Sequence, residues 1–438
     1  MKNRTIKNAG WIIGCHIVQA ILNLIVNMLV ARYLGPSSFG VINYAASLVA
    51  FVVPIMQLGL RSTLVQEIVE QPEREGETLG TALFLCLISS IASIIGVVSF
   101  ACLVNRNEKV TIIVCLLYSL NLIFQALQMI QYWFQAKLLS KYTALITLMA
   151  YIFVNIYRVI LLVRNESIFW FAISQALDYL IISLSLIVIY KKLGGQKLSF
   201  SRIRAGEMLR KSKFYIFSAL MVTVFAQTDK IMLKLMVSDA ATGFYSAAVA
   251  CAGMTGFIFG AIIDSARPTI VKNKVSDKAQ YEKNLSFLYS VVIYFALLQS
   301  VLIMIFASPI IHILYGSGYG ESVSVLRLIV WYSTFSYLGA VRDVWILAEN
   351  KGHFLWIINL MGALSNVILN AVLIPLMGMM GAALASLVTQ IFTNVIVGFF
   401  LKPVYENNVL MLKGLNPVPL WQFAKKLLFD LLKRKKKA

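Results

Sequence analysis

Twelve apolar stretches, each long enough to cross a bilayer, fill nearly all of the chain between Ala9 and Leu401. A hydrocarbon core about 30 Å thick takes about 20 apolar residues in a helix, and inside it every backbone polar group needs a partner within the protein. The stretches fall near residues 9–34, 41–66, 79–104, 110–135, 142–163 and 168–190, then 213–237, 243–267, 285–314, 323–348, 354–376 and 379–401. With 59% hydrophobic and 13% charged residues over 438 positions and a mean hydropathy of +0.80, the chain is too apolar for a soluble domain. An all-α integral membrane protein of twelve transmembrane helices is expected. The first stretch exceeds the roughly 7 to 15 apolar residues of a signal peptide and no small-residue cleavage site follows it, so it is expected to stay.

Lys and Arg are retained on the cytoplasmic side. With the N-terminus inside, 29 of the 39 basic residues fall in inner segments, while the outer segments hold Arg32, Arg106, Lys109, Arg164 and Lys234. Both termini are therefore expected to be cytoplasmic. The net charge of +20 follows from this topology. Because the basic residues are spread over loops and tail rather than gathered on one folded face, no nucleic-acid partner is expected. Five cysteines lie in apolar stretches without CxxC spacing and three histidines lie far apart, so no disulfide framework, metal or cofactor is indicated.

The largest polar interruption, Lys191 to Lys213, divides the spans six and six. The expected organisation is an N-terminal six-helix lobe (1–191), a cytoplasmic basic linker (192–212), a C-terminal six-helix lobe (213–402) and a cytoplasmic basic amphipathic tail (403–438). The halves echo each other. After span one a polar turn runs through Gly35 and Pro36 to Phe39, Gly40 and Ala45-Ala46; after span seven another runs from Ser238 to Gly243, Phe244 and Ala247-Ala248. An even number of spans in each half makes the repeats parallel, which implies two six-helix bundles around a central cavity. In the tail, residues 423, 424, 427, 428 and 431 form an apolar arc opposite Lys425, Lys426 and Lys433. That pattern, with the basic run 433–437, reads as an interfacial helix on anionic membrane lipid.

Several motifs then occur in order along the chain. They are Ala31 to Pro36 with Phe39-Gly40, Gln57 to Leu60, Asp229 to Leu233 followed by Gly243 to Ala248, and Asn366, Asn370, Leu373-Ile374-Pro375, Gly378 and Gly381-Ala382-Ala383. As an ordered set they resemble the bacterial polysaccharide flippases that handle O-antigen and capsule repeat units, within the multidrug, oligosaccharidyl-lipid and polysaccharide (MOP) exporter superfamily. Physically, Pro375 and Gly378 suit a tight outer turn, and Gly381, Ala382, Ala383 and Ala385 suit close helix approach. The resemblance implies transfer of an undecaprenyl-diphosphate-linked oligosaccharide from the inner to the outer leaflet of the cytoplasmic membrane by alternating access, without catalysis. It also implies pathway partners such as glycosyltransferases and a polymerase.

Such a cargo makes charged residues inside the spans informative, because each costs about 2.5 to 3.5 kcal/mol on insertion scales. Arg327 and Arg342 lie about 60° apart around span ten and about 22 Å along it, and a guanidinium fork suits diphosphate oxygens. Each has a local alternative: Arg342 pairs with Asp343 or Glu349, and Arg327 reaches the outer interface. Arg61, at the inner end of span two, either meets the diphosphate or snorkels to headgroups. Arg32 either caps span one or lines the exit, and Arg158 is expected to snorkel. Among the acids, Asp178 near the middle of span six either couples transport to protons or pairs with Arg158. Asp229 is expected to face the lumen while the adjacent Lys230 snorkels, and Asp264 is set against Arg267 as a local pair or an ion site. Gln128, Gln131 and Gln135 share a face of span four and either line a sugar path or tie helices together.

Two other functions compete. A cation-coupled multidrug exporter of the same superfamily would favour a cavity rich in acids. A membrane glycan polymerase or ligase would hold its site in a sizeable outer loop, and the outer connections around Pro36 and from Gly316 to Glu321 are short.

Overall fold

The computed structural model describes residues 2–423 and Lys425, and among these the regular structure is entirely helical. Eleven helices among the described residues are long and apolar enough to cross a membrane. The first of them, Ile21–Met56, holds two of the expected stretches, separated at Gly35, whose φ of 72° and ψ of 170° break the helix. The twelve expected spans are thus all present, in a multi-pass membrane fold. The expected interfacial helix lies outside the described residues from position 426 on.

The chain forms two compact units, Met1–Ser246 and Ala247–Ala438. In the first, spans two to six and the start of the span-seven helix contribute to a core of fully buried residues that includes Leu60, Leu79, Leu122, Phe134 and Leu186. The seventh span, Arg202–Met236, packs along the helix that carries spans one and two, so the basic segment between spans six and seven lies inside this unit. It is tied to the connection between spans two and three. Gln196 accepts from the Gly76 amide at 3.1 Å and donates to the Pro72 carbonyl at 3.0 Å, while Lys211 meets the buried Glu67 carboxylate at 3.3 Å. The second buried acid of that connection, Glu75, pairs with Lys137 at 2.7 Å.

The two turns that echo each other in sequence meet in space. A Cβ built on Gly40 would lie 1.8 Å from the Asp239 carbonyl oxygen, and one on Gly243 would lie 2.0 Å from the Pro36 carbonyl oxygen. Beside this crossing Lys234 is buried and bridges Glu108 at 2.5 Å and Asp239 at 2.7 Å. Burial alone would raise the Glu108 carboxyl, but hydrogen bonds from Lys234 and Thr111 outweigh it and hold the group below the usual carboxylate range. Lys234, one of the few basic residues expected in outer segments, thus serves as an internal clamp.

The second unit packs around Tyr289, Val292, Val341 and Trp345. Span eleven, His353–Met377, turns into span twelve at Gly378, whose φ of 57° with ψ of −131° is a combination only glycine adopts without strain. A Cβ on Gly381 would lie 2.1 Å from the Leu373 carbonyl oxygen, and Ala382, Ala383 and Ala385 are fully buried. The tight turn and the close approach expected there are both present. The start of the tail, the helix Lys402–Lys413, folds back onto this unit: Tyr289 donates to Asn407 at 2.8 Å and Asn408 donates to the Val395 carbonyl at 2.6 Å.

Candidate functional site

Within the first unit, spans two, four, six and seven enclose a cavity of about 780 Å³, in the size range of small-molecule sites. Span four is what shapes its long wall. It runs as Lys109–Ser119 and Asn121–Leu127, tightens into a 3-10 turn at Gln128–Ile130, and resumes as Gln131–Ala136. In a 3-10 turn residues three apart eclipse each other, so Gln128 and Gln131 stack on one line and both face the cavity, with Gln125 above them. Gln135 falls beyond the turn on exposed surface and does not line the cavity.

Opposite these amides stand Gln57 from span two, Gln175 and Tyr179 from span six, and Tyr215 and Gln227 from span seven. Arg61 sits at the end of span two in the short helix Leu60–Ser62, exposed, and is the single charged residue among the described residues that line the cavity. The approach of span seven at this end depends on Gly59, where a Cβ would lie 2.6 Å from the Ser212 carbonyl oxygen. The result is a chamber of carboxamides and phenols on an aliphatic floor, with one guanidinium at one end. Amides satisfy hydroxyls as both donors and acceptors, and tyrosine rings offer apolar faces with a polar rim.

Behind the Gln175 wall lies a buried polar cluster. The Arg158 guanidinium donates to Ser174 Oγ at 2.9 Å, to Gln175 Oε1 at 2.9 Å and to Asp178 Oδ2 at 3.4 Å. Arg158 was expected to snorkel and does not: it is 6% exposed, because span six supplies three acceptors that offset its removal from headgroups and water. Asp178 correspondingly faces Arg158 and is buried.

The remaining expected site residues are placed elsewhere. Asp229 is buried and accepts a hydrogen bond from Tyr245 at 2.5 Å, so it does not face a lumen. Asp264 is exposed and paired one turn on with Arg267 at 3.2 Å. Arg32 and Arg327 are exposed on their spans and lie outside this cavity. Arg342 is buried, donating to Asp343, to the Thr393 carbonyl and to Asn394 at 2.9–3.2 Å. Sequence reasoning missed Gln57, Asn121, Tyr215 and Gln227 as lining groups, although isolated polar residues in apolar stretches were a visible signal for them.

Comparisons with known proteins agree with this architecture. A family model described as Polysaccharide biosynthesis protein matches residues 5–274. The capsular polysaccharide biosynthesis protein CapF of Staphylococcus aureus is 21% identical over 411 residues, covering 91% of this chain and 100% of that protein. Among solved structures, the lipid II flippase MurJ in an inward closed conformation aligns with a TM-score of 0.69 at 18% identity, over 92% of this chain and 90% of that one. A multidrug resistance MATE family transporter of the MOP superfamily, inward-facing, aligns at 0.63 and 14% identity, over 86% and 93% of the two chains. At these identities the structural likeness is one of fold.

Proposed function

The chain belongs to the polysaccharide biosynthesis protein family, and on that footing we propose that it is a flippase for an undecaprenyl-diphosphate-linked oligosaccharide repeat unit. It carries this lipid from the inner to the outer leaflet of the bacterial cytoplasmic membrane by alternating access, with both termini cytoplasmic. The observation that supports this reading best is the lining of the first unit's cavity: amides and tyrosines for a glycan, Arg61 for an anion, and no carboxylate among the described lining residues. Arg61 stands at the same end as the basic segment between spans six and seven, through the Gly59–Ser212 approach, which is the cytoplasmic end if basic residues stay inside. There it meets the diphosphate as the cargo enters, with a charge-assisted fork, while Gln128 and Gln131 engage the sugars behind it. The names of the relatives point the same way, one a capsular polysaccharide biosynthesis protein and one a lipid II flippase. Glycosyltransferases and a polymerase of the same pathway are its expected neighbours, and the basic tail is expected to rest on anionic lipid.

A multidrug resistance transporter shares this fold and a cation-coupled exporter is the competing reading, but a lipophilic cation finds no carboxylate among the described residues that line the chamber. Reconstituted vesicles loaded with a fluorescent diphosphate-linked oligosaccharide lipid separate the two. The wild-type protein is expected to transfer the lipid between leaflets, and Arg61→Ala to slow transfer about tenfold or more, the worth of a charged hydrogen bond. Drug efflux without lipid transfer would overturn the proposal.

A further inference from the structure

One amide in the cavity differs from its neighbours. A carboxamide can turn over, offering its oxygen or its nitrogen to a ligand. Gln125 meets the Tyr179 hydroxyl and Gln131 the Tyr132 hydroxyl, and a hydroxyl both donates and accepts, so neither contact fixes the amide. Gln227 meets Ser47 Oγ at 3.0 Å, and a hydroxyl both donates and accepts, so either orientation satisfies that contact. Gln175 is fixed. Its polar atom 2.9 Å from the Arg158 guanidinium must be the oxygen, since a guanidinium carries donors and no acceptor.

The guanidinium is itself held in place. Its Nε donates to Ser174 Oγ, which in turn donates to the Phe171 carbonyl at 2.7 Å. Asp178 balances its charge from the next turn of the same span. With the Gln175 oxygen thus occupied, its Nε2 is the atom left for the cavity that the residue lines, and it makes no hydrogen bond to another described residue.

We propose that Arg158 and Asp178 are positioning residues that fix Gln175 as a donor, so that the chamber selects a sugar bearing a carbonyl-type acceptor, either an acetamido oxygen or a carboxylate. This rests on the reading of the cavity as the glycan site of a lipid-linked cargo and narrows the class of sugar it takes. A sugar hydroxyl also accepts from Gln175, but more weakly than an amide carbonyl or a carboxylate oxygen, and it satisfies the freely turning amides equally well. A carbonyl oxygen, which can only accept, matches an amide that cannot turn away. The same arrangement explains a buried charge pair placed directly behind a cavity wall without entering the cavity.

The test uses three polyprenyl-diphosphate-linked monosaccharides in reconstituted vesicles: an N-acetylhexosamine, a hexuronate and a plain hexose. The wild-type protein is expected to transfer at least one of the first two about tenfold faster than the hexose at limiting concentration, the worth of one well-placed hydrogen bond. Preference for the acetamido probe alone assigns the acceptor as an amide, and preference for the hexuronate alone assigns it as a carboxylate. In Gln175→Leu, and independently in the double variant Arg158→Met with Asp178→Leu, the ratio is expected to fall to within about twofold. The double variant replaces the buried pair by apolar groups of similar size, which buried ion pairs commonly tolerate, and a selectivity ratio does not move with the amount of folded protein. Wild-type-like ratios in both variants, or no wild-type preference among probes that are transferred, would overturn the inference alone. Failure of the wild-type protein to transfer any of the three would overturn the reading of the protein on which it rests.

Discussion

Gly40→Ala is expected to destabilise the first unit by about 3 kcal/mol or more, the upper range for overpacking a close contact. The added methyl would sit 1.8 Å from the Asp239 carbonyl oxygen and 2.9 Å from the Gly243 nitrogen. Both neighbours are backbone, so no side chain can rotate to make room. Gly243→Ala meets the Pro36 carbonyl oxygen at 2.0 Å from the other side of the same crossing and is expected to do comparable damage. Separating the two helices would also pull Asp239 from Lys234, and Lys234 is buried between Asp239 and Glu108. The control is Gly96→Ala on span three, where the site is exposed and nothing lies within 4 Å of the new methyl. It gains helix propensity of about 1 kcal/mol instead. Thermal unfolding of the detergent-solubilised variants, followed by the fraction remaining monodisperse, reads all three, and a Gly40→Ala melting curve matching that of Gly96→Ala would contradict the crossing described.

The second large effect is at Arg342. Its guanidinium joins span ten to span twelve through Asn394 and the Thr393 carbonyl, at the π-helical turn Phe392–Ile396. Gly339 leaves the room Asn394 needs: a Cβ there would lie 2.5 Å from Asn394 Oδ1. Arg342→Ala takes away the donor to the buried Asn394 amide oxygen and to the Thr393 carbonyl, at a cost of about 2 to 4 kcal/mol for two buried acceptors, while Asp343, 45% exposed, adds little. Arg342→Lys is expected to recover little, because an ammonium cannot fork to Asp343 and across to span twelve together. The loss should appear in unfolding measured without any cargo. Normal stability in Arg342→Ala with a selective loss of lipid transfer would instead return Arg342 to the set of cargo-binding residues.

The membrane fold was readable because its cause is local. Apolar stretches long enough to cross a bilayer are a property of the chain itself, and Gly378, Gly381 and the neighbouring alanines announce a tight turn and a close crossing by their size alone. The echo between Gly40 and Gly243 was equally visible, but that the two glycines touch each other depends on how span seven packs along spans one and two. Charges inside spans were harder. A helix position says that Arg158, Arg342, Asp178 and Asp229 are costly to bury, yet the partner that decides whether each faces a cavity or another helix comes from a different span. Asp178 against Arg158 was a pair that sequence could propose, since both are charged. Asn394 and the Thr393 carbonyl as partners of Arg342 could not be proposed, because a backbone carbonyl at a π turn leaves no mark on composition. In the same way the amide row of span four was legible at Gln128 and Gln131, while the 3-10 turn that separates Gln135 from them was not.

The account turns on whether the cargo's glycan occupies the cavity of the first unit, and site-specific photocrosslinking measures that directly. A benzoylphenylalanine in place of Thr223, which lines the cavity, is compared with one in place of Gln135, which is exposed on span four outside it. Both are illuminated in vesicles containing a labelled diphosphate-linked oligosaccharide lipid. The expected result is labelling at position 223 that unlabelled lipid competes away, with background labelling at position 135. Labelling at 135 equal to or above that at 223, while lipid transfer proceeds, would contradict the placement of the glycan.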